Sequence, residues 1–119
     1  MEMVEILKAL GDETRMRIIN LIKGEPLCVC EIQEILGVSQ SNTSRHLIKL
    51  KNAKLIQGEK QAQWVYYGLN EVTFQKHGFL SEILKDFDQC AEMQKDLEKL
   101  NELVEKGITC NDLILKANQ

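Results

Sequence analysis

Four cysteines, at positions 28, 30, 90 and 110, are the side chains of this 119-residue chain best suited to chemistry. Cys28 and Cys30 form a C-x-C, which is neither the C-x-x-C of dithiol redox centres nor a zinc-ribbon knuckle. In a regular helix, positions i and i+2 point about 200° apart. Both thiols can therefore reach one ion only where the chain is extended or unwound. A nearby helix N-terminus should lower the thiol pKa and favour thiolate, and thiolates prefer soft or borderline ions. Capture of such an ion would distort the helix that begins there. Cys90 falls on an apolar seam, where a packed cysteine is the simpler reading. Cys110 lies in a C-terminal tail and fits a ligand folding back as well as a spare thiol.

A second cluster is polar and basic. Ser39 is placed to cap a helix whose first turns read Gln40, Ser41, Asn42, Thr43, Ser44, Arg45 and His46, a run of hydrogen-bond donors and acceptors. Lys49, Lys51 and Lys54 follow at spacings that can neutralise phosphates. The whole chain holds 15 basic and 18 acidic residues, a net charge of −3. That total argues against a polyanion partner until it is divided along the chain. Residues 39–60 carry five basic groups, ending with Lys60, against Glu59 alone, while residues 81–119 carry nine acids against five lysines. A basic segment sits between acidic flanks.

The elements that must position these groups follow from periodicity. Met3, Ile6, Leu7 and Leu10 mark a first helix ending at Gly11, and Asp12 caps a second carrying Met16, Ile18, Ile19 and Ile22. Pro26 opens a third element that becomes a short helix over Cys30–Leu36. Gly37-Val38 forms a turn, and the polar-basic helix runs to about Lys54 with Leu47, Leu50 and Ala53 inside. The period then shortens to two. Leu55–Lys60 and Gln63–Tyr67 read as a hairpin around Gln61-Ala62, with Trp64, Tyr66 and Tyr67 as packing residues. From about 79 to 106 a long amphipathic helix places Ile83, Phe87, Cys90, Met93, Leu97, Leu100 and Val104 on one seam, too long for so small a domain to cover. Residues 107–119 form a tail of unassigned order. No apolar run suits a membrane span, and MEMVEIL is no signal n-region.

Two short helices joined by Gly37-Val38 and followed by a hairpin match a winged helix-turn-helix. Residues 7–69 resemble the ArsR/SmtB family of metalloregulatory repressors through LKALGDETRMRIINLI, LCVCEI, LGVSQSNTSRHLIKLKNAKLI and WVYYGL. The resemblance implies a mainly α fold with a small β-hairpin (α-α-α-α-β-β-α), homodimeric through the first and last helices. Residues 1–106 would form that domain, with Ile83, Phe87, Met93, Leu97 and Leu100 at the dimer interface. It implies a cytoplasmic repressor, not an enzyme, bound to double-stranded operator DNA with an imperfect inverted repeat. Ser39, Gln40, Ser41, Asn42, Thr43, Ser44, Arg45, His46, Lys49 and Lys60 would then contact DNA. LCVCEI resembles the site at which arsenic-responsive members take arsenite or antimonite as inducer. Those members commonly add a third cysteine where this chain has Gln33. The expected ligands are therefore Cys28, Cys30 and Cys110, with Cys90 the other candidate. A thiol-redox or persulfide switch on the same fold is the alternative. Zinc-responsive relatives use His and carboxylates on the last helix. That helix has Asp86, Asp88 and Glu92 but no His, so no zinc site is expected there. His46 and His77 read better as structural or DNA-contacting groups than as ligands.

Overall fold

A computed structural model describes residues 1–108 and 110–117, with side chains described through 114. Its elements are α1 (Glu2–Leu10), α2 (Glu13–Ile22), β1 (Leu27–Cys28), α3 (Val29–Leu36), α4 (Gln40–Asn52), β2 (Ile56–Gln61), β3 (Trp64–Leu69), α5 (Glu71–Lys76), α6 (Phe79–Phe87), α7 (Ala91–Glu105) and α8 (Cys110–Ala117). Among the described residues, no helix is long and apolar enough to cross a membrane.

Local chemistry starts and stops these elements where capping rules place them. The Asp12 carboxylate accepts the Arg15 amide at 3.0 Å and opens α2. Ser39 Oγ accepts the Asn42 amide at 3.3 Å and opens α4. Between α3 and α4 the chain reverses at Gly37, whose φ of 67° is a left-handed conformation that a side chain would strain. One core joins the helices and sheet: Ile6, Ile18, Ile22, Ile32, Leu50 and Leu55 are all buried.

The hairpin exists, shifted by one residue. Gln61 pairs with Trp64, so Ala62-Gln63 makes the turn, with Ala62 at a φ of 56°. The sheet also gains a third strand. Leu27 and Cys28 pair antiparallel with Tyr67 and Tyr66, in the order β1-β3-β2. Two residues carry no readable period, which is why alternation could not reveal β1.

The long C-terminal helix is two helices. The chain breaks over 88–90, and Cys90 serves as the N-cap of α7 in extended backbone. The break lets α7 pack on α2. Arg17 donates from Nε and Nη2 to the two Asp96 carboxylate oxygens at 2.8 and 2.9 Å. Buried Asn20 donates to the Met93 carbonyl at 3.1 Å. The seam is thus covered largely from within: Phe87 and Met93 are buried, and Ile83, Leu97 and Leu100 pack partly against the same core. Val104, at the far end of the seam, stays open, as do Met3, Val4 and Leu7 of α1, all more than a third exposed. The tail, whose order the sequence left open, takes up regular structure over part of its length. Over the described residues 110–117 it is helix α8 against α3, with Cys110 and Leu113 buried. Positions 109, 118 and 119 of that tail lie outside the described residues.

Asp96 is 2% exposed and holds a half-buried guanidinium in a two-point contact. Removing one partner leaves the other desolvated and unpaired. Asp96→Ala is expected to lower unfolding stability by about 2–4 kcal/mol in denaturant titration, and Asp96→Asn by less.

Candidate thiol site and nucleic-acid interface

Cys28 ends β1 and caps α3, with φ −86° and ψ 165°. Its amide donates to Glu31 Oε1 at 3.0 Å, so the third residue of the helix reaches back to the cap. The Cys28 sulfur meets that of Cys110, the two paired as a disulfide with Cα atoms 7.1 Å apart. Glu31 Oε1 lies 4.0 Å from the Cys110 sulfur. Cys28, Glu31 and Cys110 bring their ligand atoms within 4.8 Å of one another. The sequence allowed Cys110 to reach the site only as part of a tail folding back, with no element to carry it. The helix that delivers it shows its amphipathic face only over about two turns.

Cys30 sits in the first turn of α3, half-buried. Burial pushes its thiol pKa up, and the neighbouring Glu31 charge adds to the rise. This corrects the expectation of a depressed pKa: desolvation and a carboxylate outweigh the helix N-terminus at this position. Cys30 is not in the close group with Cys28 and Cys110, because regular helix carries its side chain away from theirs. Both Cys28 and Cys30 line one cavity of about 650 Å³, shared by Val38 of the α3–α4 turn, Trp64 of the wing and Leu113 of α8. Cys90 stands apart, half-buried against the core at the start of α7.

α4 presents a solvent-facing side made of Gln40, Ser41, Asn42, Arg45 and Lys49, with Lys60 exposed on the β2–β3 wing. The Arg45 guanidinium donates to the Asn42 side-chain oxygen within that face. Ser39 spends its hydroxyl on the cap, and Ser44 is half-buried. Two expected contacts turn inward. Thr43 is buried, its hydroxyl donating to the Ser39 carbonyl at 2.9 Å. His46 faces the start of α2, where Arg15 Nη1 donates to its Nδ1 at 3.2 Å and Asp12 stands 3.8 Å away. Arg15 is itself held by the Ala9 carbonyl at 2.6 Å. His46 thus joins α4 to α1 and α2. No periodicity could separate it from its polar neighbours.

The helix pair α3–α4 with a β2–β3 wing defines a winged helix-turn-helix. The model of the bacterial regulatory protein, arsR family, matches residues 12–57. The chain is 44% identical over 66 residues to an arsenic resistance transcriptional regulator of Pseudomonas putida, covering 55% of this chain and 52% of that protein. Against the arsenical resistance operon repressor of Bacillus subtilis it is 42% identical over 78 residues, covering 65% of this chain and 72% of the relative. Its fold is similar to the homodimeric winged helix-turn-helix DNA-binding domain Mb0332 of Mycobacterium bovis, with TM-score 0.62 and 20% identity, over 74% of this chain and 82% of that one. The chain belongs to the ArsR family of bacterial regulatory proteins. It spans about half the length of the Pseudomonas relative.

Burial and the adjacent Arg15 charge hold the His46 pKa below 6.5, despite the opposing pull of Asp12. The unfolded chain therefore binds that proton more tightly. The contribution is present above pH 6.5 and is lost as pH falls toward the folded pKa. Melting temperature is expected to drop between pH 7.5 and 5.5 in the native chain. The drop should be smaller in His46→Gln, measured by circular dichroism.

Proposed function

We propose that the chain is a homodimeric transcriptional repressor that binds operator DNA through α4 and the wing. It leaves the operator when its thiols capture trivalent arsenic or antimony. The observation that carries this reading is the meeting of the Cys28 and Cys110 sulfurs at the N-cap of α3, the first helix of the helix-turn-helix. Once reduced, those two sulfurs would offer soft ligands at a joint from which α3, the Gly37 turn and α4 follow in series. A third ligand is available at Cys30 if the first turn of α3 unwinds. Glu31, though close, is a hard carboxylate and a poorer partner for a soft ion.

Each thiol that joins arsenic replaces one hydroxyl of arsenous acid, and its proton leaves in the water released. Three thiols and As(OH)₃ give As(SR)₃ and three waters, with no change of oxidation state. The raised pKa of Cys30 is no obstacle to this exchange, because no free proton is released. Capture of a divalent ion by the same thiols would have to discharge protons into solution. Moving Cys30 toward Cys28 breaks the Cys28–Glu31 cap, worth about 1 kcal/mol, and turns α3 about its start. The cavity beside Val38 and Trp64 gives that movement room. α4 is then carried out of register with the groove.

The exposed Met3, Val4 and Leu7 of α1 support a dimer face. The arsenical-resistance relatives support the inducer class. A thiol-redox switch is the second reading, favoured by the pairing of Cys28 with Cys110. Oxidation would join those sulfurs, passing two electrons and two protons to a peroxide-class oxidant.

Gel mobility of the reduced chain on its operator separates the two readings. Arsenite is expected to release the DNA, and Cys28→Ser and Cys110→Ser to abolish the response while DNA binding persists. Release by peroxide alone, with arsenite silent, would replace the first reading with the second. Arg45→Ala should weaken operator affinity about tenfold. Lys49→Ala should lower the slope of log affinity against log salt by about one phosphate contact.

A further inference from the structure

One side chain of α4 is explained neither by the core nor by the polar face. Ile48 is 56% exposed. The inner side of α4 is made by Thr43, Leu47 and Leu50. At 100° per residue, the opposite side carries Ser41, Arg45, Ile48 and Asn52, all exposed. A branched aliphatic there gains nothing from burial and has lower helix propensity than the Lys, Arg and Gln residues around it. The exposed Met3, Val4 and Leu7 lie close together on α1, whereas Ile48 stands alone among polar groups. Where α1 borders α4, their shared groove is lined by Lys49, Asn52 and Ala53. The flank bearing Ile48 stays open.

We propose that Ile48 is a specificity determinant, packing on the C5-methyl of a thymine in the major groove. This rests on the DNA-binding reading above and adds the base it selects. Thymine alone presents a methyl on the major-groove edge, and a branched aliphatic is the side chain that gains by covering it. Arg45, one turn earlier on the same stripe, supplies hydrogen bonds to a neighbouring base edge or phosphate. Ile48 supplies discrimination that no hydrogen-bonding residue of this stripe provides.

The test begins with enrichment of bound sites from a randomised duplex pool by the full chain. Failure to enrich any site would overturn the DNA-binding reading and this inference with it. On the enriched site, each thymine is replaced singly by uracil, which removes only the methyl. One thymine per half-site is expected to be sensitive, with affinity falling about three- to fivefold, the scale of one buried methyl. Ile48→Ala should bind the thymine and uracil duplexes equally, both at the reduced affinity, with an unchanged melting temperature. Indifference of the native chain to uracil at every position overturns the inference while the DNA-binding reading stands. Persistence of the thymine preference in Ile48→Ala also overturns it, and the uracil scan on the native chain decides even if the variant fails to fold.

Discussion

Three structural roles converge on Cys28. Its backbone pairs with Tyr66 in the sheet, its position caps α3, and its sulfur meets the sulfur of Cys110 on α8. Capping requires extended backbone at this residue, and extended backbone is also what lets a two-residue strand form beside β3. A change at the sulfur therefore cannot stay local. It is felt by a strand that belongs to the wing sheet and by a helix that leads through one glycine turn into α4. That connection gives a small protein a way to link thiol chemistry to the orientation of a helix some distance along the chain.

Around this joint the rest of the molecule acts as a brace. The Arg17–Asp96 pair and the Asn20–Met93 contact hold α7 on α2, and Arg15 ties α1, α2 and His46 of α4 together. Both braces leave the outward side of α4 free and leave α8 held chiefly through α3. The charge distribution agrees with that division. The acidic total comes from the N-terminal helices and the α6–α8 region, so the exposed side of α4 and the wing keep a local positive balance. Its modest size suits binding that can be reversed.

Much of the scaffold was legible because its signals are local: Asp12 and Ser39 as caps, Gly37 as a turn, and the change from period 3.6 to period 2 after Lys54. The misses have long-range causes. β1 is too short for any period and exists only through β3. The seam from Ile83 to Val104 gave no sign of the break over 88–90, because three or four residues of turn preserve the spacing of a helix. Phe87 and Met93, read from the sequence as dimer-interface residues, are buried within the chain itself. In the site, residue type marked Cys28 as a ligand, but only tertiary packing brings Cys110 to it and keeps Cys30 aside. Thr43 and His46 share the composition of a reading helix, and only the neighbouring α2 and the helix's own inner side separate them from Gln40 and Arg45.

Under the proposed function, thiol capture at the start of α3 is transmitted to α4 by loss of the first helical turn. Backbone amide hydrogen exchange of the reduced full chain, with and without arsenite, reads that turn directly. Arsenite should speed exchange over residues 29–32 and the Gly37 turn, while the α2–α7 contact around Asn20 and Met93 stays protected. Unchanged or slower exchange over residues 29–32, in a chain shown by thiol titration to have bound arsenite, would contradict the account.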